Sequence, residues 1–301
     1  MRILLAVDGS VSSDRATELV AGFPLPDDSV IRVVSVQQPY VDVLAMSWAS
    51  VGESAAPETE EQVDARHHRE AVERAEHVLK RPGVNVEGFL LRGRPASAIV
   101  DEAKAMAADL VVVGSRGHGT IATMVLGSTA SEVVDHAPCP VLVARGGTLG
   151  SIAFADDGSK AARGAEAVLT AWPMFAGLPV SVVTVAETAV PVAAGFTPGL
   201  YDQVLASYSK SVDEAREEVR READTAAGRL DDAGLDARPI VLEGDPASEI
   251  VRFATERGIG TIVMGTRGHT GLARLFLGSV ARNVLLHAPC SVLVVRERKG
   301  D

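Results

Sequence analysis

Cysteine is nearly absent from this chain: the 301 residues contain two, Cys139 and Cys290, each in the phrase His-Ala-Pro-Cys. No disulfide is expected from two thiols that hold equivalent places in two similar halves, and no ligand set of metal-binding spacing accompanies them. Positive charge is also in short supply, with 29 Lys and Arg against 40 Asp and Glu and a net charge of −11. Phosphate backbones are bound by clustered Lys and Arg that release counterions, and no such cluster occurs, so nucleic acid is not an expected partner. Long apolar runs are missing as well. None approaches the ~18–20 residues that a bilayer-spanning helix needs, and the opening MRILLAVDGS lacks the basic start, apolar block and cleavage site of a secretory signal. No membrane segment is expected, and the sequence predicts a cytoplasmic protein.

What the chain does have is an internal repeat. RGRPASAIVDEAKAMAADLVVVGSRGHG (92–119) aligns with EGDPASEIVRFATERGIGTIVMGTRGHT (243–270), and the register persists to HAPCPVLV and HAPCSVLV. Roughly half the positions between residues 92 and 144 are identical to their counterparts, which marks a duplication rather than a shared composition. RILLAVDGS meets SIAFADDGS near the start of each half, and the halves join at RGGTLG (145–150). The expected domains are residues 1–146 and 150–298. With 47% hydrophobic residues, each half can bury a core of its own.

Within the first half, short runs rich in Val, Leu and Ile at 2–7, 30–36, 84–91, 110–113 and 141–144 predict five strands. Stretches with helical spacing at about 11–22, 60–80, 95–106 and 126–136 lie between them. Near-continuous apolar strands alternating with helices imply a mostly parallel sheet covered on both faces. The fold class is therefore α/β, two tandem doubly wound, Rossmann-like domains with five strands each. Residues 40–59 and 187–209 interrupt the pattern and differ between halves, so they are expected to be surface loops, with a flap over a neighbouring site as the alternative.

In a doubly wound sheet a ligand sits beyond the carboxyl ends of the strands where strand order reverses. The first strand ends in Asp8-Gly9-Ser10 and the fourth in Gly114-Ser115-Arg116-Gly117. After nine further residues Gly127-Ser128 opens a helix, whose free N–H groups and dipole favour an anion, while the glycines would let a phosphate come close. The second half repeats the spacing with Gly265, Gly268, Gly278 and Ser279. It is neither GxGxxG nor a Walker loop, and two copies of one fold also share their structural turns, so phosphate binding and plain turns both remain open at this point. His118 and His269 follow the loops without an evident nucleophile or carboxylate partner and read as loop residues. His136 and His287 suit helix C-termini. The run HHREAVERAEH (67–77) reads as a solvated, ion-paired helix face rather than a metal site.

The glycine pattern, the early Asp-Gly-Ser and the terminal Val-Leu-Val strand resemble the ATP-binding branch of the universal stress protein family, and the resemblance covers both halves. It implies that Asp8 and the backbone of Val36 hold adenosine, that Gly114, Ser115, Arg116 and Gly117 wrap the ribose and phosphates, and that Gly127, Ser128 and Thr129 close on the phosphates. In the second half it implies the same roles for Asp157, Val185, Gly265, Thr266, Arg267, Gly268, Gly278, Ser279 and Val280, with Gly93 and Gly244 as turn glycines that could also line the pocket. The implied cofactor is ATP, with or without Mg²⁺, one adenine nucleotide per domain. The implied role is a nucleotide-responsive regulator in stress tolerance, acting on a protein partner that the sequence does not name; the alternative is a slow ATP hydrolase or phosphotransferase in the same pocket. The resemblance also implies a pseudo-dimer within the chain, with 141–144 and 292–295 as its seam, and room for a homodimer. Two differences predict unequal sites: Asp156 replaces Val7, and Val280 replaces Thr129.

Overall fold

A computed structural model describes residues 1–38, 60–117, 126–186, 216–266 and 277–296, and the chain divides into two compact units, Met1–Thr148 and Leu149–Glu297. The loops singled out at 40–59 and 187–209 lie outside the described residues.

In the first unit, β1 (Arg2–Ala6), β2 (Ser29–Gln37), β3 (Val84–Arg92), β4 (Leu110–Gly114) and β5 (Val141–Ala144) stand in the order β3-β2-β1-β4-β5. Every pairing is parallel: Leu4 of the central strand lies opposite Arg32 on one side and Val111 on the other. A strand between two parallel neighbours and two helical layers has no wet face, which is why Ile3, Leu4 and Leu5 are all apolar and all 0% exposed. Parallel strands need long crossovers, and these are the helices: α1 (Val11–Ala21), α2 (Glu60–Leu79), α3 (Pro95–Ala105) and α4 (Ser128–His136). α1 and α2 pack together on one face of the sheet and α3 and α4 on the other, so the unit is doubly wound, as the strand and helix pattern predicts.

The second unit repeats the design. β6 (Ile152–Ala155), β7 (Val180–Ala186), β8 (Ala237–Glu243), β9 (Thr261–Gly265) and β10 (Ser291–Val295) stand in the order β10-β9-β6-β7-β8, again parallel. Its helices are α5 (Lys160–Ala171), α6 (216–232), α7 (Pro246–Arg257) and α8 (Ser279–His287).

Local signals fix the helix starts. The Ser10 side chain caps α1 by accepting from Ser13 N at 3.3 Å, and Ser159 caps α5 by accepting from Ala162 N at 3.1 Å. Pro95 and Pro246 open α3 and α7, where a missing N–H costs nothing. α4 and α8 differ from these: they begin after Gly127 and Gly278, and no side chain caps either one. In each unit the strand order reverses between the first strand and the fourth, so the carboxyl ends of β1 and β4, and of β6 and β9, stand side by side.

Candidate functional site

Beyond the carboxyl ends of β1 and β4 the first unit encloses a cavity of about 1130 Å³. Apolar side chains from the strands and α3, among them Val7, Val34, Val36 and Ile99, line its walls. Polar groups reach it from the strand ends and from the start of α4: Asp8 after β1, Arg116 and Gly117 after β4, and the N-terminal turn of α4 with Ser128 and Thr129.

The Asp8 carboxylate is held in place by its own turn. Its Oδ1 accepts from Ser10 N at 3.0 Å and from Ser10 Oγ at 2.6 Å, and Ser10 Oγ also reaches the carbonyl of Arg116 at 3.3 Å, tying the β1 turn to the β4 loop. The other oxygen, Oδ2, is turned toward Gly117, where a Cβ would come within 2.6 Å of it. Gly9, between Asp8 and Ser10, sits at φ +80°, which favours glycine, and a Cβ there would come within 2.6 Å of His67 Nε2 and displace that ring.

The glycines of the repeated loop divide by what they face. A Cβ on Gly114 would meet the backbone of Ser12 at 2.9 Å, and one on Gly265 the backbone of Ala161 at 2.6 Å. Those positions are glycine because the first helix of each unit packs directly on the strand end, so the turn reading explains them. Gly117 is different, because it is exposed and faces the cavity. Gly127 donates to Ser115 O at 2.9 Å and leaves the first N–H groups of α4, with no side-chain cap and no acidic residue in the first turn, at the cavity wall. An uncapped helix start with small residues about it is suited to an anion.

Of the residues singled out in the first half, Asp8, Val36, Gly114, Arg116, Gly117, Gly127, Ser128 and Thr129 line this one cavity. Ser115 is buried behind the loop, 6% exposed, with its N–H on Ala144 O. Gly93 lies at the turn into α3 at φ +130°, its N–H bonded to Gln37 O, outside the lining residues; Gly244 does the same at φ +133° with Ala186 O. In the second unit Asp157 Oδ1 accepts from Ser159 N at 3.0 Å, matching Asp8 and Ser10. Gly278 N donates to Thr266 O at 2.8 Å, matching Gly127 and Ser115, and Ser279 and Val280 begin α8. Val185 lies near the end of β7. Arg267 and Gly268, like His118 and His269, lie outside the described residues. Asp156 takes the place of Val7: both are 5% exposed, and each backbone N–H bonds to the adjacent strand, at Val183 O and Val34 O.

The residues not anticipated come from α2. Val63, Asp64, His67 and His68 all line the cavity; of the run 67–77 read as a solvated face, Arg69, Glu70, Glu73, Arg74 and His77 are exposed, while His67 and His68 depart from that reading. His67 Nε2 lies 3.2 Å from the carbonyl of Asp8, and His68 Nδ1 lies 2.7 Å from Ser35 Oγ. A signal was present: counted back from buried Leu79, the inward stripe runs Ala75, Val72, His68, Asp64 in steps of three and four. Ser35, His68 and Asp64 superficially resemble a nucleophilic triad, but Ser35 is 1% exposed and its hydroxyl bonds to Val7 O at 2.6 Å, so its oxygen is not presented to a substrate. Among the described residues no group of three or more His, Cys, Asp or Glu is placed to hold a metal, and no helix is long and apolar enough to cross a membrane.

Comparison with known proteins gives a consistent picture. The sequence model described as Universal stress protein family matches residues 1–145 and 150–296. A universal stress protein of Mycolicibacterium smegmatis is 28% identical over 312 residues, covering 98% of this chain and 97% of that one. One from Thermus aquaticus is 37% identical over 143 residues, 48% of this chain and 97% of its own length. Among solved structures, a universal stress protein from Archaeoglobus fulgidus superposes with a TM-score of 0.66 at 18% identity, covering 99% of this chain and 98% of that one; at that identity the likeness is one of fold.

Proposed function

We propose, given that the chain belongs to the universal stress protein family over both halves, that its first unit binds an adenine nucleotide, ATP foremost, and that occupancy of the site is the signal the protein passes to a partner. The observation that carries this reading is the uncapped start of α4 facing Gly117 and Asp8 across a cavity whose wall from β1, β2 and α3 is apolar. The division suits a nucleotide. Apolar side chains from β1, β2 and α3 offer a base the dry surface it needs, Asp8 can accept hydrogen bonds from ribose hydroxyls, and the N–H groups of Ser128, Thr129 and Ala130 with Arg116 can take the phosphates. Mg²⁺, where present, would accompany the phosphates as counter-ion.

The second unit has the same frame, and we assign it a weaker site. A buried carboxylate at Asp156 puts negative charge at the position of Val7, an apolar wall residue in the first unit, and would repel an anionic ligand bound nearby.

The test is the nucleotide content of purified protein after acid extraction, followed by calorimetric titration of the stripped protein with ATP, ADP and AMP. One tight and one weaker site per chain are expected. No heat and no thermal shift at millimolar nucleotide would overturn the reading, and steady release of phosphate from bound ATP would replace the binding role with turnover.

A further inference from the structure

The α2 wall of the cavity carries chemistry that nucleotide binding as described above does not use. The Ser35 hydroxyl stands between Val7 O at 2.6 Å and His68 Nδ1 at 2.7 Å. A carbonyl only accepts, and a hydroxyl has a single proton. Ser35 therefore donates to Val7 and must accept from His68, so Nδ1 carries a proton and the site left to titrate is Nε2. That nitrogen faces Asp64 Oδ1 one helical turn earlier, at 3.5 Å, too long for a good hydrogen bond and well within reach of an ion pair. A neutral ring would turn a lone pair toward a carboxylate, whereas an imidazolium presents an N–H.

Among the described residues, polar and charged groups face the ring from several elements. From α2 itself come Asp64 and His67, whose ring centroid is 6.2 Å away. Asp8 and Arg116 share the cavity from the ends of β1 and β4. β2 offers the neutral Ser35 and Gln37 on this face, and β3, by alternation from Gly88 beneath Val72, offers Arg92 at its end. α1, packed beside α2, turns the neutral Ser13 and Thr17 inward.

We propose that His68 makes nucleotide binding proton-linked, its charged form favouring the anionic ligand, so that affinity rises as pH falls through the histidine range. The inference rests on the nucleotide reading of the same cavity. The direction follows from linkage: an anion in the cavity stabilises the proton on Nε2, so the midpoint of His68 is higher in the complex than in the free protein. The gain is full below the free midpoint and lost as pH rises through the bound one, within the range in which histidines titrate.

Calorimetry of ATP binding to nucleotide-stripped protein at pH 6 and pH 8, in wild type and His68→Asn, tests it. The asparagine amide keeps a donor where Nδ1 stood and removes the titrating nitrogen. ATP's own terminal phosphate titrates near pH 6, so the quantity read is the wild-type affinity ratio between the two pH values divided by the same ratio for the variant. A quotient of about five to ten is expected, ten being the limit for one pH unit of midpoint shift. A quotient within twofold of one overturns the proton link while leaving nucleotide binding intact; absence of binding at both pH values overturns the nucleotide reading, and the link with it. Should the variant not fold, the His68 ring-proton titration of wild type by NMR decides the matter: an upward midpoint shift on saturation with ATP supports the link, and an unmoved midpoint refutes it.

Discussion

Replacing Gly117 with glutamate would put a carboxylate into the gap between the β4 loop and the start of α4. A Cβ at this position would stand 2.6 Å from Asp8 Oδ2, so the new side chain must turn away from Asp8, toward the cavity or the solvent. A carboxylate at about 6 Å from a phosphate, at an effective dielectric of about 20, repels it by about 3 kcal/mol per unit charge, which is about a hundredfold in Kd. The cost to folding should be small, because Gly117 is exposed and its carbonyl and amide are not part of the sheet. Gly117→Ala separates the two effects: it keeps the crowding against Asp8 without the charge and should lose no more than about tenfold, a cost of about 1.4 kcal/mol. Titration calorimetry with ATP gives the affinities, and circular dichroism with thermal melting shows whether each variant is folded. A folded Gly117→Glu protein that bound ATP with wild-type affinity would show that the phosphates do not lie between this loop and α4, and the site assignment would fall.

Other expectations follow from the two units being copies of one design. Arg94 caps α3 with the same backbone geometry (φ −74°, ψ 125°) as Asp245 at α7 (φ −74°, ψ 121°), but without a side-chain bond to the helix start, its guanidinium making only an exposed pair with Glu132 at 3.6 Å; an exposed pair being worth little, Arg94→Asp should stabilise the first unit by up to about 1 kcal/mol, a rise of roughly 2–4 °C in calorimetric Tm. The converse change, Asp245→Ala, should cost the second unit about 1 kcal/mol. Bonds from the Ser248 hydroxyl and backbone N–H hold the Asp245 carboxyl below its ordinary value, so its contribution is present above about pH 4 and lost as pH falls through the lowered midpoint; denaturant melts of wild type and variant should converge in acid. Asp156→Val gives the second unit the residue of the first, and should tighten its ATP site by about tenfold, one removed charge being worth at least ~1.4 kcal/mol at such a site; calorimetric isotherms that keep one strong and one weak site would refute that explanation of the asymmetry.

The periodicity of hydrophobic residues gave the fold class because a parallel sheet wrapped on both sides leaves little choice of residue. Runs such as Leu110 to Val113 can be apolar throughout only where both faces are covered, and all four are buried. The site was legible in part. Asp8 and the start of α4 could be located because chain turns and helix starts are local events, governed by Gly9, Ser10 and Gly127 themselves. Ser115 belongs to the loop by its place in the chain, yet it is 6% exposed and lies outside the cavity lining, its N–H still bonded to Ala144 O at the end of the neighbouring strand.

The duplication, the order of strands and helices, and the two glycine-punctuated loops are properties of the sequence by itself, because each rests on residues near one another in the chain. Which glycine meets a helix backbone and which meets the cavity was settled only by tertiary packing: Gly114 and Gly117 are three residues apart and look alike until Ser12 and Asp8 are brought beside them. The same holds for His67 and His68. Helical spacing says which side chains share a face of α2, but it does not say what that face will meet, and it meets Asp8, Ser35 and the cavity because α2 crosses over β2 and β3 at the end where the strands stop.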